Sequence, residues 1–461
     1  MQGRHQPQPG RICHGRGRGR SDRRPGPVSP AARRGVIVRG GTIVTARGVE
    51  RADIAIADGR IVEVGANLDE SGTEIDAKGL HAFPGGIDSH VHLNEPGRTE
   101  WEDIAHGTAA LAAGGYTAFV DMPLNNLPVT TTVDAFDLKL AAMRRWAKID
   151  YGLWGGLVPG NLDQLAPLVE RGAMGFKAFM CPSGIDEFPA CDERTLREGM
   201  DRIAELDSIL LVHAEDPSQL GEPKGPTARD FIESRPWQAE LSAIQDVITL
   251  SRETGCRLHI VHVSTVRGTA MIQDAQLRGI DVSGETCPHY LLYADDDLER
   301  LGGIGKCAPP FRSAGNRDDL MAMVAAGEVE IVVSDHSPST LDLKQGDDFR
   351  KIWGGIACCQ STRQLLLAQA NLDLNVIAAV TSSNISRRFR LPRKGDIAPG
   401  FDADLWIVDL GHDDVVRRED LLYRNRLTAH EGQRIRGRTI KTLVRGGEPG
   451  RGELIRPSAS S

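Results

Sequence analysis

Long apolar runs are absent from this 461-residue chain. None reaches the roughly 18 residues that a membrane-spanning helix needs. Paired cysteines are absent too. The eight cysteines, at 13, 181, 191, 256, 287, 307, 358 and 359, form no C-x-x-C pair and keep no regular spacing. That argues against a disulfide framework and for reduced thiols in a cytosolic setting. No G-x-G-x-x-G and no P-loop follows a strand-like segment, so nothing supports a dinucleotide or nucleoside-triphosphate site. Negative charge is nearly absent from the first 34 residues, which hold nine Arg against one Asp and no Lys or Glu. This tail carries +8 of a chain whose net charge is −8, leaving about −16 on the rest. So acidic a body argues against nucleic acid as the main partner. The tail has no apolar segment of the secretory type, and the expectation for 1–34 is a disordered basic extension.

What is present is an ordinary globular composition, 40% hydrophobic and 26% charged. Residues 35–84 read as short strands with glycine turns, as in "VIVRGGTIVTARG" and "ADIAIADGRIVEVG". Similar patterns return in "KGDIAPGFDADLWIVDL" and "RTIKTLVRGGEP". The two ends are therefore expected to pair into one small β-sandwich domain, from 35–84 and 386–461. Between them, from 85 to 385, helix and strand patterns alternate. "WEDIAHGTAALAAGG" precedes "YTAFVDM", "DQLAPLVERGA" precedes "MGFKAFM", and "LREGMDRIAELD" precedes "SILLVHAE". Repeated units of this kind imply an α/β fold with a parallel sheet. Their total length fits a (β/α)8 TIM-like barrel.

Chemistry gathers at the strand ends. His90 and His92 follow the first barrel strand, and Lys177, His213, His262 and Asp335 stand at later ones. In a barrel these ends open on one mouth, where active sites are built. Neutral imidazoles with a carboxylate bind divalent metals. Residues i and i+2 share a strand face, so His90 and His92 can grip one ion. Alone, any one of these histidines reads as a hydrogen-bonded structural residue. Together with a lysine inside the apolar stretch "GFKAFM" and an aspartate ending "IVVSD", they read as a metal site. His259 is expected on the opposite strand face. His336 is expected to point away from Asp335, and His289 receives no ligand role.

The segments "GGIDSHVHLNEPG", "GFKAFM", "LLVHAED", "LHIVHVS", "ETCPHYL", "KCAPP" and "VVSDHSP" resemble, in order, the cyclic-amidohydrolase branch of the amidohydrolase superfamily. That branch includes dihydroorotases, hydantoinases and allantoinases. The resemblance covers about 35–450. It implies two divalent ions, with zinc first and iron, manganese or cobalt also accepted by such ligands. By motif, His90, His92 and Asp335 would hold one ion and His213 and His262 the other. Lys177, carbamylated by CO2, would bridge them as N6-carboxylysine, and Asp335 would also act as the catalytic acid–base group. The resemblance further implies a homo-oligomer, tetramer or dimer, acting on a small molecule in the cytoplasm, with no membrane partner.

Three stretches narrow the resemblance to allantoinases: "HVHLNEPGRTEWE", "DMPLN" and "GFKAFMCPSG". Dihydroorotases carry Arg at the Asn94 position, where it can grip a carboxylate through two charge-assisted bonds. Asn94 suits a neutral ureido arm such as that of allantoin. "WGGIACCQ" resembles the allantoinase loop, with Cys358 and Cys359 as departures, and Ser339 stands where allantoinases often have Cys. Backbone near Ala308 and Gly354 is expected to contact the ring. The implied reaction is opening of allantoin to allantoate. A hydantoinase-, dihydropyrimidinase- or dihydroorotase-like hydrolase is the alternative. A non-catalytic scaffold relative would lack at least one of the six ligand residues, and none is missing.

Overall fold

In the computed structural model, residues 35–69 and 72–459 are described, and the basic extension 1–34 lies outside them. The first five strands of the described residues are β1 (Val36–Thr45), β2 (Gly48–Ala57), β3 (Arg60–Gly65), β4 (Thr73–Asp76) and β5 (His81–Pro84). Then come β6 (Gly86–Val91), β7 (Tyr116–Asp121), β8 (Asp150–Leu153), β9 (Gly155–Gly156), β10 (Phe176–Phe179) and β11 (Ile209–His213). After these follow β12 (Arg257–Ile260), β13 (Val282–Thr286) and β14 (Ile331–Val332). β15 (Leu405–Val415) and β16 (Arg434–Leu443) complete the set.

The middle of the chain is α/β with parallel pairing. β6, β7 and β8 form one three-stranded sheet, and β9 to β14 form a six-stranded sheet in chain order. Only Trp154 separates β8 from β9. At the other side, Val91 bridges His336 in parallel, and the His92 N–H donates to the His336 carbonyl at 2.8 Å. β6, β7 and β11 are buried along their whole length, as strands covered on both faces must be. Helices supply the cover. Glu193–Glu205 is capped by Asp192 and buries Leu196, Gly199, Met200 and Ile203, spaced at three to four residues. Among the described residues no helix is long and apolar enough to cross a membrane.

The chain ends meet in a separate, mostly antiparallel sheet of order β16-β15-β5-β1-β2-β3, with β4 on β1. The contact that unites them is β15 on β5, with Leu405 opposite Pro84 and Trp406 opposite Phe83. This sheet packs closely on the parallel layer. A Cβ at Gly115, where φ is +83°, would lie 2.4 Å from the Trp406 indole, so only glycine fits.

A buried ion cluster joins the two layers. Lys394 Nζ lies 2.6 Å from Asp150 at the start of β8, 2.7 Å from Asp404 and 3.1 Å from Asp402 beside β15. Removing the cation leaves buried carboxylates undercompensated, which costs about 3–5 kcal/mol. Lys394→Met should therefore lower unfolding stability by that amount, read as a fall in urea midpoint. A change under about 1 kcal/mol would show that the cluster does not hold the layers together.

Candidate metal centre

Strand geometry brings the six sequence-expected residues to one place. His90 lies in β6 and His92 just beyond it, Lys177 lies in β10, and His213 ends β11. His262 lies two residues past β12 and Asp335 three past β14. All six line a cavity of about 420 Å³. His262 and Asp335 both have positive φ, +38° and +45°. Such backbone costs about 1–3 kcal/mol for a non-glycine residue and clusters at functional sites.

The donor atoms converge. His90 Nε2 is 3.2 Å and His92 Nε2 3.4 Å from Asp335 Oδ1. His213 Nδ1 is 3.0 Å from His262 Nε2. Donors held at about 2.0–2.1 Å around a tetrahedral ion stand about 3.3 Å apart, so these spacings fit a ligand set. The His90 and His262 ring centroids are 5.5 Å apart, which makes the two groups neighbours.

Partners behind the rings decide which nitrogen faces inward. His90 Nδ1–H donates to Glu285 Oε1 at 2.5 Å, and His92 Nδ1–H to the Leu124 carbonyl at 3.3 Å. His213 Nε2–H donates to Glu215 at 2.7 Å. Acceptor-only partners fix the tautomers and leave the opposite lone pairs free. The His262 Nδ1 has no partner, so its tautomer is free: its Nε2–H can donate to the His213 Nδ1 across 3.0 Å, or its Nε2 lone pair can share a cation with it. Burial lowers the pKa of both imidazoles and so favours their neutral, metal-binding form. Burial alone would push the Glu285 carboxyl up. The neighbouring His90, with hydrogen bonds from His259 and from His90 itself, holds it instead at about 2. Glu215 is likewise held at about 2, where Arg235 and His213 outweigh burial.

Lys177 is different. Its amine is buried without a hydrogen-bond partner and sits 4.9 Å from the Phe179 ring centroid. Burial lowers its pKa to about 7, so a neutral amine is accessible near physiological pH.

Ala308 and Gly354 are among the residues that line the cavity, and Asn94 is not. Asn94 is fully buried, its Nδ2 is 3.5 Å from the Pro338 carbonyl, and its Oδ1 is unpartnered. An asparagine is too short to reach where an arginine head would lie. Asn125 lines the cavity wall nearby. His259 Nε2–H donates to Glu285 at 3.0 Å, bracing the carboxylate that holds His90, and its Nδ1 accepts from the Ser283 hydroxyl at 2.7 Å. His336 turns away from Asp335, accepting from the Cys358 N–H at 3.2 Å. His289 has both ring nitrogens unpartnered and stands with Cys287 near Asp335. Sequence reading missed Glu285, Glu215 and Arg235. An acid two residues after His213, in "VHAED", was the available signal for Glu215. β13, which carries Glu285, has too few large apolar residues to show a strand period.

The profile of the amidohydrolase family matches residues 82–449. The chain belongs to the amidohydrolase family. That family is generally metal-dependent, in keeping with the donor set above. The chain is 47% identical to an allantoinase of Solibacter usitatus over 445 residues, covering 92% of this chain and 97% of that one. It is 48% identical to an allantoinase of Rubrobacter xylanophilus, with 89% and 93% covered. Among solved structures, an L-hydantoinase (dihydropyrimidinase) from Arthrobacter aurescens matches with a TM-score of 0.88 at 31% identity, covering 92% of this chain and all of that one.

If Glu285 fixes the His90 tautomer, Glu285→Gln should weaken metal binding about 10–100-fold, the usual effect of losing such a partner. Competition with a chelator, read by metal analysis, measures it. Unchanged affinity would mean that the His90–Glu285 bond is only structural.

Proposed function

We propose that this chain is an allantoinase, opening the hydantoin ring amide of allantoin to give allantoate. One observation carries the reading. A complete set of two histidine pairs, an aspartate and an unpartnered lysine lines one cavity, in a chain that matches allantoinases along nearly its whole length. We read β6–β14, with β8 and β9 counted as one strand interrupted at Trp154, as one closed (β/α)8 barrel within 85–385, and the terminal sheet, from 35–84 and 386–461, as a small β-sandwich domain.

His90, His92 and Asp335 would hold one ion, and His213 and His262 a second, with zinc the first choice. Bound there, two divalent cations supply Lewis acidity toward a ring carbonyl and make water nucleophilic at neutral pH. Lys177 joins both groups once its amine takes up CO2: an N–C bond forms, one proton leaves, and an anionic carbamate results. An amine with no partner in the protein is what this chemistry requires. The Asp335 carboxylate receives the proton released as water attacks and returns it to the departing ring nitrogen. Backbone at Ala308 and Gly354 meets the ring. Asn94 contributes by leaving its corner uncharged, which disfavours a carboxylate-bearing substrate relative to a ureido one. All seven described cysteines are free thiols, which supports a cytoplasmic setting. The homo-oligomer, tetramer or dimer, rests on the resemblance alone.

Purified protein supplied with divalent metal and bicarbonate should release allantoate from allantoin faster than it opens dihydroorotate or 5-substituted hydantoins. Preference for a hydantoin would move the reading to a hydantoinase, and no turnover of any of them would end it. Lys177→Ala should lose most bound metal and more than about 100-fold in activity, beyond what loss of an outer partner costs. Retained activity would remove the carbamate bridge from the scheme.

A further inference from the structure

Two buried lysines outside the metal centre have no carboxylate partner, yet both amines are fully engaged. Lys306 Nζ donates to the carbonyls of Phe349 and Ile352, each at 2.6 Å. It also stands over the Phe231 and Phe349 rings, 4.7 and 5.3 Å from their centroids. Lys344 Nζ donates to the Trp353 carbonyl at 3.0 Å and to that of Gly355. Neither forms an ion pair among the described residues, and they are only 7% and 6% exposed. Burying an ammonium group is expensive, and charge-assisted bonds to several carbonyls at once are a way to offset it.

All four gripped carbonyls belong to one segment, 349–355, and that segment walls the cavity through Ile352, Trp353, Gly354 and Gly355. Two main-chain bonds complete the grip: Gly355 N–H to the Lys306 carbonyl at 2.7 Å and Trp353 N–H to the Leu343 carbonyl at 2.9 Å. Gly354 sits between the gripped residues, and its own N–H and C=O have no partner among the described residues. One donor and one acceptor are thus held, unpaired, at the cavity wall. A cyclic ureide presents the complement, a ring N–H beside a C=O.

We propose that Lys306 and Lys344 are positioning residues that clamp segment 349–355 so that the Gly354 peptide is fixed for recognition of a cyclic ureide. This rests on the cyclic-amide reading of the cavity. The clamp acts through the backbone, touches no proposed metal ligand, and so governs substrate affinity more than turnover.

The test compares Lys344→Met and Lys306→Met with the wild type on allantoin and on unsubstituted hydantoin. The expected result is a rise in KM of about tenfold for each substrate, with kcat within about threefold and bound metal unchanged. Hydrogen exchange across 345–355 should also quicken, a readout that needs no turnover. Unchanged KM, or a loss of kcat together with metal, overturns the clamp. Should a methionine variant not fold, Lys306→Arg and Lys344→Arg keep donors in place. They should then show near-wild-type exchange or a partial KM rise, and fast exchange with wild-type KM refutes the proposal. If wild-type protein opens none of allantoin, hydantoin and dihydroorotate, the cyclic-amide reading fails. The exchange comparison then judges the clamp itself: protection of 345–355 that does not differ between wild type and variants refutes it.

Discussion

Lone-pair direction is the constraint on which this site depends. An imidazole has one nitrogen to offer, and the other must be tied down for the first to point anywhere useful. Glu285, Glu215 and the Leu124 carbonyl tie three rings from behind. Glu285 is braced in turn by His259, and Glu215 by Arg235, whose Nε lies 3.2 Å from it. The inner donors are thus oriented by two buried carboxylates behind them, and Arg235, which braces one of these, also reaches the cavity wall. Strained backbone at His262 and Asp335 completes the convergence.

Buried lysines show how the fold distinguishes structure from chemistry. Lys139 pairs with Asp121 at 2.8 Å. Lys394 is surrounded by three aspartates. Lys306 and Lys344 grip backbone carbonyls. Each of these amines has its cost of burial offset by the protein. Among the described residues, Lys177 is the one buried lysine whose amine has no hydrogen-bond partner, and it lines the cavity with the four histidines. The fold satisfies four such amines and leaves the fifth without a hydrogen-bond partner.

Much of this was legible in the sequence because strand ends are local features. The β-branched runs before His213 and Asp335 and the H-x-H after an apolar strand place chemistry at the carboxyl ends without any tertiary information. The alternation of helix and strand likewise located the elements around Tyr116, Phe176 and Ile209. Asn94 shows the limit. Its position in the motif was readable and its depth was not, because reach depends on side-chain length relative to a cavity wall formed by other segments. β13 is the other case: "DVSGET" shows little periodicity, and with that strand unseen, the carboxylate that orients His90 went unseen too.

The sequence by itself pointed to the family through the resemblance of its ordered motifs, and to the six candidate ligands and the parallel α/β arrangement through local periodicity and residue types at strand ends. Only the tertiary structure decided which nitrogen of each histidine faces inward. It also decided that Glu285, 195 residues from His90, stands behind it, that Asn94 is set back from the cavity, and that two lysines grip its wall. These are facts about distance between segments remote in sequence. They follow from how strands register and layers pack, which no local pattern encodes.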